Sequence, residues 1–223
     1  MAKKFNLKSF QENRDLIRKD IDQIWNVSGP DLIAAYAAGE RDFKGVFVEY
    51  QTLNNADFSE ADFRKASFIG VEARGTVWSD VNLKFANILR CNFNNSFFDK
   101  TDMSNCLIEL STLSYSRFHN VKGSGCSFRY SIFLNSEISL SSFTSGRFRG
   151  CQFLYVKISE SVFSDSDFEN VGFKGASISF SDFSNSLIRN SLSEAKMVRV
   201  NILNMAGLYA YHAPGMSSRD DTL

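Results

Sequence analysis

The sequence predicts an all-β solenoid with a short helical segment at its N-terminus. Three observations carry that prediction: a large apolar residue at every fifth position over most of the chain, a small residue two places before each of them, and an amphipathic stretch confined to the N-terminal end. A short fixed period is the signature of a fold that stacks equivalent units, each contacting mainly its neighbours.

The apolar series begins at Phe43 and runs through Val48, Leu53, Phe58, Phe63 and Phe68 to Leu208. In steps of five that is 34 positions, and only Ala73, Gly123 and Ser193 are not large and apolar. The register reads as unbroken over this whole stretch. Two residues before each centre stands a small side chain, such as Ala56, Ala61, Cys91, Ser96 or Ser131, with valine as the usual exception at Val71 and Val121. A large and a small inward residue in every five fits neither a 3.6-residue helix nor a simple two-residue strand alternation.

Ala56-Asp57-Phe58 and Ala61-Asp62-Phe63, with Ala66-Ser67-Phe68 close behind, resemble the A(D/N)LXX unit of the pentapeptide-repeat family. The resemblance covers Arg41 to about Ala210. It implies a right-handed quadrilateral β-helix with one unit on each side and twenty residues per coil, about eight coils in all. Every twentieth residue then stacks like on like: Phe128, Phe148 and Phe168 on one side, Phe133, Phe153 and Phe173 on another, Phe143, Phe163 and Phe183 on a third. The fourth runs from Phe58 and Trp78 to Ile178 and Val198. Coils about 4.8 Å apart let equal side chains nest in a common rotamer. Gly123 is expected to leave a local void between Met103 and Phe143, partly filled by the flexible Met103.

The chain therefore divides into an N-terminal helical segment, 1–40, a β-helix, 41–210, and a polar tail, 211–223. Ser9 and Glu12 have capping-box spacing, and Phe10, Ile17, Ile21 and Ile24 form one stripe flanked by Leu16 and Trp25, which predicts a helix over about 9–26. A second helix is expected after Ser28, with Pro30 at its first turn and Gly39 at its stop. These helices either cap the open coil near Phe43 and Val48 or reach a partner or a membrane surface. At the other end Leu192, Met197, Val200, Ile202 and Met205 fall where outward residues belong. Relatives that dimerise end to end imply a homodimer through this C-terminal coil, by Met197, Ile202, Met205 and Tyr209.

Lys plus Arg and Asp plus Glu both number 25, which gives no electrostatic footprint of a nucleic-acid binder. No stretch approaches the roughly 18 apolar residues of a membrane span, so the expected location is cytoplasmic. The only histidines are His119 and His212, and the register aims His119 outward, away from any paired nucleophile. Cys91, Cys106, Cys126 and Cys151 all occupy the small inward position and read as core residues. Asp57, Asp62, Asn82, Asn87 and Asn92 read as turn residues. No catalytic, metal or cofactor-binding residues are indicated.

The expectation is a non-catalytic protein-interaction or scaffold module. Phe47, Tyr50, Ile69, Leu89, Leu107 and Leu110 are outward apolar residues of one face, whose inner column is Val48, Phe68, Ile88 and Ile108, and they mark a contact with an unknown protein partner or with the chain's own helices. The resemblance adds two roles: regulation of cell differentiation, as in cyanobacterial members, and, as the alternative, mimicry of DNA toward a type II topoisomerase (gyrase), as in quinolone-resistance members. Residues 41 to 208 hold 17 acidic and 18 basic side chains, whereas a duplex carries about one negative charge per 1.7 Å, so charge density argues against the mimic.

Overall fold

The computed structural model describes residues 5–18, 24–189, 192 and 194–206. Helix α1 spans Leu7–Ile17, strand β1 Trp25–Asn26, helix α2 Gly29–Ala37 and strand β2 Val46–Glu49. From β2 onward the chain winds into a parallel β-solenoid. One wall is a nine-stranded parallel sheet from β1 to Leu187–Ile188, and the opposite wall a six-stranded one from Phe97–Asp99 to Lys196–Val198. Isolated parallel bridges such as Asp62 to Asn82 and Thr112 to Ile132 join the remaining sides.

Twenty-residue coils arise because each rung takes its hydrogen bonds from the rungs above and below. Phe133 N–H donates to Gln152 O at 2.8 Å and Ile132 N–H to Ser111 O at 3.0 Å. Each corner needs a residue with positive φ, two places after the apolar centre. Among the described residues twenty-five non-glycine residues adopt it, from Tyr50 at 49° to Asn204 at 55°, and none of these is β-branched, as the steric cost of that region for branched side chains requires. Asp57, Asp62, Asn82 and Asn92 support these turns by accepting from the N–H two residues on, at 2.8 to 3.2 Å.

Inside, rings stack coil on coil. Phe148 lies 5.5 Å from Phe128 and 4.7 Å from Phe168, nearly parallel to both. Burying each such ring contributes on the order of 1.5–3 kcal/mol. The small inward serines add ladders of their own. Ser166 Oγ donates to Phe143 O at 2.9 Å and accepts from Gly146 N–H at 3.0 Å, so the buried hydroxyl is satisfied and ties two coils together. The expected void at Gly123 does not form. The Phe143 ring, rather than Met103, takes the space a side chain would need there.

The N-terminal segment closes the first coil. Phe10 of α1 packs on Trp25 and Phe43, and Tyr36 of α2 packs on Phe58 while donating to Ser59 O at 3.0 Å. Arg14 pairs with the buried Glu40 at 2.8 Å, and Arg18 makes a two-point contact with Asp42. Two details differ from the sequence reading. The cap of α1 is Asn6, which accepts from Ser9 N–H at 3.1 Å, so Ser9 lies inside the helix. The helix also ends at Ile17 instead of continuing to residue 26, because Trp25 and Asn26 pair with Val46 and Phe47 as an added strand. That strand raises the coil count from eight to about nine. Ile21 lies outside the described residues. α2 begins at the Ser28 cap and stops before Gly39, whose φ is 96°, as expected.

The register slips once near the C-terminal end. Ile178 pairs with Met197, 19 residues on, and Leu187 bridges to Ala206 at the same interval, where Phe148 pairs with Phe168 at 20. Met197 is 6 % exposed and Val198 42 %. The unbroken series through Val198 and Leu203 is therefore corrected: Leu192 and Met197 point inward, and Val198 and Leu203 outward. Val200, Ile202 and Met205 are partly buried against the core, not displayed on an outer face. Keeping twenty residues would have turned Ser193, Val198 and Leu203 inward; losing one residue turns Leu192, Met197 and Ile202 inward instead, so that no polar residue takes a large inward position. Ser193, Leu208, Tyr209, Tyr211 and the tail 211–223 lie outside the described residues.

Candidate functional site

Strand alternation puts one residue in and the next out, so the outer face of the nine-stranded sheet carries two parallel columns. One reads Phe47, Ser67, Asn87, Leu107; the other Glu49, Ile69, Leu89, Glu109. Phe47, Ile69, Leu89 and Leu107 thus share one surface and are half-buried by their neighbours. Tyr50 and Leu110 stand at the corners beside them, 70 % and 45 % exposed. The column beneath is Val48, Phe68, Ile88 and Ile108, the one expected. The hydrogen bonds, ion pairs and ring contacts that α1 and α2 make onto the solenoid run to Glu40, Asp42, Phe43, Lys44, Gln51, Phe58 and Ser59, at the end of the rod.

His119 is not remote from a nucleophile, contrary to the sequence reading. The twenty-residue coil stacks Asp99, His119 and Ser139 in one outward column, and His119 Nδ1 lies 2.9 Å from Ser139 Oγ. A cavity of about 320 Å³ adjoins it, lined by Phe97, Asp99, Arg117 and His119 among others. Counting by twenty would have found the column. The arrangement lacks what acyl transfer requires. Ser139 is buried, and the neighbouring backbone N–H groups are spent in the coil ladder, Leu140 on Ser159 O and Glu137 on Ser116 O. No pair of them is free to hold an oxyanion.

The four cysteines are free and buried. Burial pushes the Cys106 thiol up to about 12 and those of Cys91 and Cys151 to about 11, so thiolate chemistry is suppressed. Among the described residues no group of three His, Cys, Asp or Glu side chains is placed to hold a metal ion, and no helix is long and apolar enough to cross a membrane. Of the proposed C-terminal contact residues, Met197 belongs to the core, Ile202 and Met205 are half-buried at the last rungs, and Tyr209 is not described.

A solenoid of five-residue units with large and small residues inward, polar or apolar residues outward and positive-φ corners defines a class of non-globular β-proteins. The family model described as pentapeptide repeats (8 copies) matches residues 42–77, and the same geometry continues to Ile188. Residues 42–77 carry the repeat that this family model describes. No curated protein matches it. Among solved structures, a trypsin-treated form of QnrB1, a plasmid-mediated fluoroquinolone resistance protein, is 20% identical, with a TM-score of 0.53 over 74% of this chain and 88% of its own. At that identity the likeness is one of fold. HetL of the cyanobacterium Nostoc sp., a pentapeptide repeat protein involved in heterocyst differentiation regulation, is 13% identical with a TM-score of 0.33, over 80% of this chain and 94% of its own.

Proposed function

We propose that this protein is a non-catalytic interaction module that presents the outer face of a rigid solenoid to another protein in the cytoplasm, in a regulatory role. The observation that carries the reading is the set Phe47, Ile69, Leu89 and Leu107, held in register on one sheet and flanked by the exposed Tyr50 and Leu110. Apolar side chains grouped on a stiff surface favour contact with another surface, since burying them releases ordered water. The balanced charge of the solenoid gives no support to the gyrase-directed DNA mimic. A contact between two copies through the C-terminal coil rests on Ile202 and Met205, without Met197.

The test compares wild type with a Phe47→Ser, Leu89→Ser, Leu107→Ser triple variant by affinity capture from native extract, with the solution mass of each free protein recorded. Retention of a discrete protein by wild type alone supports the reading. Equal retention by both would refute it.

A further inference from the structure

A cleft of about 720 Å³ opens where the end of α1 and β1 meet the first rungs of the nine-stranded sheet. Its floor is apolar, made by Ile24, Trp25 and Phe47; its wall is cationic, made by Arg18, Lys44, Arg64 and Lys65. Two carboxylates outside the lining hold three of these cations in place. Asp42 takes Arg18 at 2.8 Å, and Asp62 takes Arg64 at 2.7 Å and Lys44 at 3.5 Å. Lys65 makes no salt bridge among the described residues. Among the described residues, four cations against two carboxylates leave a surplus of positive charge around an apolar floor.

Trp25 is 3 % exposed, so Ile24 and Phe47 present most of the open apolar surface. The volume lies within the roughly 300–1,000 Å³ of small-molecule sites, which combine apolar walls with a few convergent polar groups.

We propose that this cleft binds a small organic anion with an apolar body, its acidic group against Lys44, Arg64 and Lys65 and its body on Ile24 and Phe47. The guanidinium of Arg64 and the ammonium groups suit a carboxylate, sulfonate or phosphate alike. This site adjoins the sheet face proposed for protein recognition and shares Phe47 and Ser67 with it.

The test uses two fluorescent probes on the full chain: anilinonaphthalene sulfonate, and N-phenyl-naphthylamine, which has the same rings without the acid. Wild type is expected to bind one equivalent of the sulfonate saturably and about tenfold more tightly than the neutral dye, with the difference shrinking as salt rises. An Arg64→Ser, Lys65→Glu double variant, shown folded by its circular dichroism and cooperative melting, should lose about tenfold for the sulfonate and nothing for the neutral dye. Equal affinity for the two dyes, no saturable binding, or unchanged sulfonate affinity in the double variant would overturn the proposal. So would cosedimentation with phosphatidylglycerol vesicles that the double variant loses, which would assign the cations to a membrane surface.

Discussion

Ile178 lies beside Met197, not beside Val198, so the last rungs are spaced by 19 residues where the rest are spaced by 20. The shift decides which side chains close the core. Met197→Ala should cost about 2 kcal/mol, at the low end for buried methionine because the site is terminal, while Val198→Ala should stay within about 0.5 kcal/mol. Urea unfolding of the two variants checks the order. An unbroken register would reverse it.

Phe148 is sandwiched between Phe128 and Phe168 and fully buried. Phe148→Ala is therefore expected to cost about 3–5 kcal/mol, since stacked neighbours held by the coil spacing cannot collapse into the cavity. A loss below about 1 kcal/mol in equilibrium unfolding would show that the ring is not in the column.

Tyr130 lays its ring across Gly150, one coil on, and the same arrangement joins Tyr50 to Gly70 and Tyr155 to Gly175. A Cβ on Gly150 would stand 2.6 Å from that ring, at a φ of 62°. Gly150→Ala is expected to cost about 2 kcal/mol, of which roughly 1 kcal/mol is the backbone penalty. In a Tyr130→Ala background only the backbone part should remain. A double-mutant cycle measures the difference.

Glu40 fastens the helical cap to the first coil. Burial opposes its ionisation, but the Asp42 and Arg41 N–H groups, the Gln11 amide and the Arg14 guanidinium outweigh burial and hold its carboxyl below the ordinary value. A depressed folded pKa means that the stabilisation is complete above the unfolded value, near about 4.3, and is lost as pH falls through the folded one. Asp42 and Asp62 are lowered in the same sense, against burial, by Arg18 and Arg64. Unfolding followed by circular dichroism should show stability falling with acid in this window. Glu40→Gln should cost about 1–3 kcal/mol at neutral pH and flatten part of that slope; an unchanged slope would remove Glu40 from the account.

The solenoid was legible because a five-residue step from Phe43 to Ile188 has no competing explanation, and the second helix because Ser28, Pro30 and Gly39 each have a backbone reason to stand where they do. The strand at Trp25 and Asn26 was not, since two residues carry no periodicity and their pairing with β2 is a tertiary contact. The slip was hidden by its own continuity: Val198 and Leu203 are apolar and extend the old count, while Leu192, Met197 and Ile202 keep step with each other in the new one. The Asp99, His119 and Ser139 column and the serine ladders become visible only when residues twenty apart are read as neighbours. For the apolar face the columns were readable, because Phe47, Ile69, Leu89 and Leu107 fall at outward positions of the same twenty-residue count.

The most direct test of recognition by the sheet face places a photo-crosslinking benzoylphenylalanine at Ser67, in the midst of Phe47, Ile69 and Leu89, and separately at Ser177 on the opposite sheet. Illumination in native cells should give one discrete heavier species from position 67, abolished by Leu89→Ser with Leu107→Ser, and none from position 177. Equal products from both positions, or a product at 67 indifferent to the two serines, would contradict the account.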